Sequence, residues 1–458
     1  MQSSSQPPLL PEHAPDSGLT FEVAPPRFDA GAGVARFEYR LGMLAFEEVL
    51  RFPAGFDTAR ATQPAFARLL ELTAFILGTS YFKLLAPFTI AAPALSLTAA
   101  EEALVLDIYE NGLGEFYARN NLHRFGDLTI RTGRRELVIT QKCELENRAL
   151  LLVGGGKDSL VSVQLFERAG RAYTPFAVNP KGPIVTSVEA IHQQPLFVSR
   201  VLDEEMIHLG GEPGYYNGHV PSTAMNSMIA ALSAILFDYD TIVLSNERSA
   251  SEGNVIFDGR EINHQHSKSY GFEKAISAVF AEATGGGLRY FSVLRPFSEA
   301  RIAQLFARET RFDHSFSSCN RNFRLAGHKG DLWCGACPKC LFTYLILAPH
   351  MGKQRLASVF PRDLLDNLDN ENGYRELTGL AGQKPWECVG EIREAAAVLD
   401  QLRSMSEWRD TAVVKKLGPD LDVQYGPGGL KPDWDALFTD SKDHLVPPDL
   451  GEILFADA

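Results

Sequence analysis

The sequence predicts an α/β protein: a parallel sheet with helices on both faces, preceded by an N-terminal α+β domain. Three observations lead there. From Arg148 onward, short apolar runs alternate with segments of helical periodicity, the order a parallel sheet requires. One of these runs, 150–153, ends in Gly154-Gly155-Gly156 and is followed by Leu160, Val163 and Phe166 at near-helical spacing: strand, tight loop, helix. Before Arg148 the strand-like and helical segments succeed one another without that alternation.

Taken in order, residues 1–20 are polar and proline-rich, with neither the basic start nor the apolar stretch of a signal peptide, and are expected to be a disordered tail. Residues 35–39 and 45–51 read as strands about a turn, 66–85 and 99–116 as helices, and 128–139 as strand and turn around Thr132-Gly133. They make a first α+β domain over 21–146. The parallel-sheet domain is placed at 147–350. Its further elements are a strand at 173–178, a helix at 222–237 capped by Ser222, and a buried strand at 241–245. A helix at 270–284 is stopped by Gly285-Gly286-Gly287 and followed by a strand at 289–294 and a helix at 298–308. A last helix at 338–347 has Pro338 at its start, where proline is tolerated. The remainder, 351–458, reads as a mainly helical extension with a Gly/Pro linker at 425–432.

Composition narrows the function. With 44 basic against 57 acidic residues the net charge is −13, a poor match to long nucleic acid. No stretch approaches the ~18 apolar residues of a membrane span. Six cysteines in 458 residues, three of them within seven positions, argue for metal rather than a disulfide framework. A cytoplasmic protein with neither nucleic-acid nor membrane partners is expected.

The loop Gly154-Gly155-Gly156-Lys157-Asp158-Ser159 is neither a Walker loop nor a dinucleotide turn. Glycines there let the backbone approach an anion, and the following helix N-terminus supplies free N–H groups. In an open α/β sheet the ligand lies beyond the carboxyl ends of the strands. The loops after Val153, Val178, Ser245 and Leu294 are therefore expected to ring the site, with Val178 against the nucleotide. The motif resembles the PP-loop, S-G-G-x-D-S, of the N-type ATP pyrophosphatases, with Gly154 in place of the usual Ser. The resemblance implies ATP split between its α and β phosphates, the glycines and Ser159 on pyrophosphate, Asp158 on magnesium, and Lys157 offsetting phosphate charge. An unliganded glycine-rich turn is the competing reading.

Cys334-Gly335-Ala336-Cys337-Pro338-Lys339-Cys340, with Cys319 upstream, offers four thiols at spacings suited to a structural zinc ion. An iron–sulfur cluster also accepts such spacing, and unligated thiols are the plain alternative. Cys143 and Cys388 stand alone and read as ordinary thiols. With Leu294-Arg295-Pro296-Phe297 and Ser318-Cys319, the central ~200 residues resemble 7-cyano-7-deazaguanine synthase, in which four such cysteines bind zinc. That likeness implies an alternative function, an amide- or nitrile-forming ligase acting on a small carboxylate.

The layout of the whole chain resembles another PP-loop family. It comprises the α+β N-domain, the triple-glycine loop, Gly218-His219-Val220-Pro221-Ser222, Ser245-Asn246-Glu247-Arg248-Ser249-Ala250, Asn263-His264-Gln265-His266-Ser267-Lys268-Ser269 and the cysteine segment. It is similar to the UDP-N-acetylmuramoyl-L-alanyl-L-glutamate epimerases, the MurL family. The resemblance implies ATP- and magnesium-dependent inversion of the terminal L-Glu of UDP-MurNAc-L-Ala-L-Glu. Transfer of AMP to the α-carboxylate cancels its charge and makes the Cα proton removable by a side-chain base. His264, His266, Glu247 and Lys268 are the candidates for that chemistry, with His219 and Glu252 behind them, although any one loop residue of these types is more often simply solvated. Arg248, Arg260, Lys268 and Arg295 could meet the anionic UDP-sugar.

Overall fold

The computed structural model of the chain describes residues 18–136, 141–323 and 332–456; the rest of the expected tail, 1–17, and the end of the 128–139 segment lie outside them. The first strands, β1 (Thr20–Val23), β2 (Arg27–Asp29), β3 (Val34–Leu41) and β4 (Leu44–Arg51), pair antiparallel. In β3 buried and exposed residues alternate, as in a sheet with one face covered. Helix α1 (Pro64–Phe82), opened by Pro64, covers that face. By length and composition α1 would suffice to cross a membrane, contrary to the sequence reading, but 83% of its apolar window is buried inside the protein.

Strand β5 (Thr89–Leu97) leads to α2 (Ala99–Asp107), which is held by a reciprocal Thr98–Glu101 capping box. The single helix expected over 99–116 is broken. A π-helical turn at Ile108–Gly112 separates α2 from α3 (Gly114–Asn120), where a Cβ on Gly114 would lie 3.1 Å from Ile262. Strand β6 (Thr129–Arg134) follows.

The expected alternation then appears: β7 (Ala149–Leu152), α4 (Lys157–Arg168), β8 (Tyr173–Val178), α5 (Pro183–Ile191), β9 (Leu196–Val201), α6 (Glu204–Leu209), α7 (Ser222–Phe237) and β10 (Thr241–Leu244). A small hairpin, β11 (Val255–Phe257) and β12 (Arg260–Ile262), precedes α8 (Tyr270–Thr284), β13 (Arg289–Ser292), α9 (Glu299–Phe306) and α10 (Pro338–Leu347). Ser222 does not cap α7: Pro221 holds the cap position, with no side-chain bond to the helix.

The strands β13-β10-β7-β8-β9 are all parallel, and β9 pairs antiparallel with β4, so one sheet runs on through β3, β1, β5 and β6. Neighbouring residues of a strand enter different cores. Leu150 and Ile242 pack on the side of α1, α7 and α8, and Leu151 and Val243 on the side of α4, α9 and α10. Helices thus cover both faces of the parallel strands.

The C-terminal helices Ile392–Leu402, Ala412–Tyr425 and Lys431–Ala436 join the second core, and the expected 425–432 linker shrinks to the residues between the last two. Glu394 accepts a 2.8 Å bond from the Ala300 N–H at the start of α9. The extension is therefore fastened to the domain that carries the glycine loop.

Candidate active site

The chain leaves β7 through α4 to reach β8 on one side, while β10 lies on the other. Ligands of open α/β sheets bind at this point, where the strand order reverses. A cavity of about 340 Å³ opens there. Gly154, Gly156, Lys157, Asp158, Ser159, Val178, Glu247 and Lys268 all line it, so the structure gathers most of the residues singled out in the sequence.

The three glycines differ in role. A Cβ on Gly154 would meet nothing within 4 Å, whereas one on Gly155, at φ +81°, would lie 2.8 Å from the backbone at Pro183 and Ile184. Gly155 therefore packs against the start of α5, and its carbonyl accepts from the Ser317 N–H at 2.9 Å. Gly156 caps α4 with no side-chain bond, which leaves first-turn N–H groups open toward an anion. The Ser162 and Ser245 hydroxyls, 2.7 Å apart, tie α4 to the loop after β10.

On the cavity wall Asp158, Glu247 and Glu299 bring carboxylate oxygens within 4.8 Å of one another. The Lys157 ammonium, 6% exposed, bonds both Asp158 and Glu299. Burial lifts the carboxyl of Glu247 above its usual range and that of Glu299 well above it. Three carboxyl groups face Lys157, with Lys268 acting on Glu247 and Asp158 from beside them. Such an all-oxygen set fits a hard divalent cation.

Also on the cavity wall, Lys268 donates 3.2 Å to Gln265 Oε1 and lies 3.5 Å from Cys388 Sγ. Burial opposes its charge, but Cys388, Glu247 and Asp158 outweigh burial and raise its pKa. Cys388, read from sequence as an ordinary thiol, lines the cavity. Its segment is held by Asn254 Nδ2 donating 3.0 Å to the Pro385 carbonyl and by a Lys384–Glu252 ion pair. Lys339 also lines the cavity, at the start of α10. Burial alone would raise the Cys388 thiol; Lys268, Lys339 and His264 bring it well below the ordinary value.

The two loop histidines do not line the cavity. His264 stands behind Cys388, bonded through Nδ1 to Glu115 on α3. Burial lowers its pKa, but Cys388 and Glu115 together push it up to about 9. His219, its ring 4.6 Å from that of His264, falls to about 4 through burial and the neighbouring imidazolium. His266 bonds Asp107 of α2 at 2.8 Å. The interruption at Ile108–Gly112 thus separates two helices that each hold one loop histidine.

Arg295 does not face the site. It is 2% exposed, ion-paired with Glu273 at 2.8 Å, and donates to the Glu247 carbonyl at 2.6 Å and to that of Lys268. It positions two cavity residues through their backbone. Arg260 bonds Glu110 at 3.1 Å, and Arg248 reaches the Thr439 carbonyl at 3.3 Å. Glu252 is taken by Lys384.

Cys319, Cys334, Cys337 and Cys340 place four sulfurs within 4.8 Å of one another, with separations of 3.4, 3.7 and 3.9 Å among them. All are free thiols. Tetrahedral zinc with Zn–S of ~2.3 Å needs sulfurs ~3.8 Å apart, so the donors fit that ion. The group adjoins the cavity wall: Ser317 and Ser318 precede Cys319, and Lys339 lies between two ligand positions.

Comparison with known proteins identifies the family. The family model described as the MurL N-terminal domain matches residues 12–293, and that of the MurL C-terminal domain matches 315–426. A relative from Xanthomonas oryzae pv. oryzae is 39% identical over 94% of this chain and 96% of its own length. One from a Micromonospora species is 39% identical over 93% and 95%, and one from Salinispora tropica 40% over 85% and 86%. All three are named UDP-N-acetyl-α-D-muramoyl-L-alanyl-L-glutamate epimerase.

Proposed function

The chain belongs to the MurL epimerase family, and we propose that it inverts the terminal L-Glu of UDP-MurNAc-L-Ala-L-Glu to D-Glu in the cytoplasm, for peptidoglycan synthesis, at the expense of ATP. The observation that carries the ATP step is the cavity at the strand-order reversal, where the triple-glycine loop and the open N-terminus of α4 meet Asp158, Glu247 and Glu299. A carboxylate oxygen of the glutamate attacks the α-phosphorus of ATP and diphosphate leaves. The resulting acyl adenylate no longer carries the carboxylate charge that would oppose an enolate. A side-chain base then takes the Cα proton, a proton returns to the opposite face, and water releases AMP and the D-configured product.

Each part of the cavity suits one of these tasks. The backbone N–H groups of the loop and of α4 receive phosphate oxygens. Asp158, with Glu247 and Glu299, would hold magnesium, which when bound neutralises phosphate charge. Lys268 and Lys339 suit the anionic substrate and the developing enolate oxygen. His264 and His266 act from behind the cavity, in orienting rather than proton-transfer roles. The four cysteines would hold a structural zinc ion that fixes the Ser317–Ser318 wall.

The test is direct. Protein, ATP, magnesium and UDP-MurNAc-L-Ala-L-Glu are incubated without ammonia, and glutamate chirality is determined after hydrolysis alongside AMP and diphosphate. D-Glu with AMP formation is expected. Unchanged L-Glu, or D-Glu formed equally well without ATP, overturns the reading.

A further inference from the structure

We propose that Cys388 is the catalytic group that exchanges a proton with the Cα of the terminal glutamyl residue on one face of that carbon. The proposal rests on the epimerase reading above and names the base that reading leaves open. It comes from elimination within the cavity. A base must reach the substrate carbon, so only lining residues qualify. His264 and His266 are excluded on that ground, each turned to a carboxylate of the N-terminal helices. Asp158, Glu247 and Glu299 converge on one another with Lys157 among them, the set assigned above to the cation. Lys268 has its ammonium stabilised and holds its proton. Of the lining side chains left, Lys339 sits between two of the clustered cysteines, and Cys388 is the one beside Lys268 and His264.

Its surroundings fit the task. Lys268 Nζ stands 3.5 Å from the sulfur, His264 touches it, and Lys339 adds a third cation, with the Glu387 carboxyl also nearby. These cations hold a thiolate in the resting protein, the nucleophilic and basic form of the side chain. In the step itself the thiolate takes the Cα proton and an S–H bond forms. The C–H electron pair passes into the enolate of the acyl adenylate, whose oxygen is the adenylated carboxyl's own. In the reverse direction the thiol returns the same proton. Lys268 then has a second use, because once the sulfur is neutral its ammonium can turn toward the new negative charge.

Cys388→Ser in the full chain separates this role from adenylation. With UDP-MurNAc-L-Ala-L-Glu the variant should still form AMP and diphosphate within a few fold of wild type, while D-Glu formation falls by about 10²- to 10⁴-fold. It becomes a futile ATPase that returns L-Glu. In D₂O, wild type should place deuterium at Cα, and Cys388→Ser should lose that exchange from at least one of the two epimers. Epimerisation within tenfold of wild type overturns the proposal. If wild type itself forms no AMP, the ATP reading fails, a result distinct from failure of Cys388. Should the variant not fold, wild type alone decides: iodoacetamide at pH 6, followed by peptide mapping, is expected to label Cys388 with parallel inactivation and protection by substrate plus ATP. Full activity after complete labelling at Cys388, or no labelling there, overturns the proposal.

Discussion

Two groups on the cavity wall have opposite electrostatic characters. Beside the glycine loop three carboxyl groups gather around Lys157, and burial pushes two of them toward their neutral forms. Around Cys388 cations predominate and draw a thiol toward its charged form. A magnesium nucleotide would suit the first and an anionic glutamyl substrate the second, and Glu247 and Lys268 stand where the two fields meet. Under the proposed function, activation would fall to the carboxylate group and proton transfer to the Cys388 group.

The largest test of that division is Asp158→Ala. Loss of the ligand should remove several kcal/mol of charge stabilisation, so AMP release and D-Glu formation should fall together by about 10³-fold or more. Both rates would be followed in one reaction. If D-Glu falls while AMP persists, Asp158 belongs to the proton-transfer group and the comparison breaks.

The two groups also differed in how far the sequence disclosed them. Gly154 to Ser159 is a contiguous motif on a strand-loop-helix, so its place in the sheet followed from periodicity alone. Cys388 meets Lys268 across 120 positions, through a C-terminal segment with no motif of its own. Nothing local distinguishes it from Cys143. Glu299 fell unremarked inside the helix expected at 298–308 and Lys339 between two cysteines, because neither discloses which cavity its helix points into. The histidine loop was expected beside the site, yet only its Lys268 lines the cavity, because His264 and His266 turn to Glu115 and Asp107 on helices that read in sequence as one. The joining of β4 to β9 was equally hidden, since alternation specifies a buried face and not the neighbouring strand.

A smaller effect is expected at Glu299→Gln, which keeps the shape and removes one charge. Magnesium titrations of activity should show a half-maximal concentration raised by about tenfold, equivalent to ~1.4 kcal/mol. An unchanged requirement would make Glu299 only the counter-ion of Lys157. In the cysteine group, metal analysis should find ~1 zinc per chain and a clear loss in Cys337→Ser, with a lowered Tm. Iron with visible absorbance would replace zinc in that account.

The subtlest effect lies in the pH dependence of stability. The folded pKa of His264 is raised from 6.5 to about 9. Its imidazolium therefore stabilises the fold fully below the unfolded value of ~6.5, and that contribution fades as pH rises through about 9. His264→Gln should cost about 2 kcal/mol near pH 6 and progressively less toward pH 9.5, read as a narrowing Tm gap from wild type. The raised value needs anionic partners, first Cys388 and then Glu115. In a Cys388→Ser background the gap should shrink at pH 6 and lose part of its pH dependence, because one of those anions is gone. An unchanged gap in that background would mean that the sulfur carries no charge at rest, and the cationic group of the cavity would then lack the base it is built to hold.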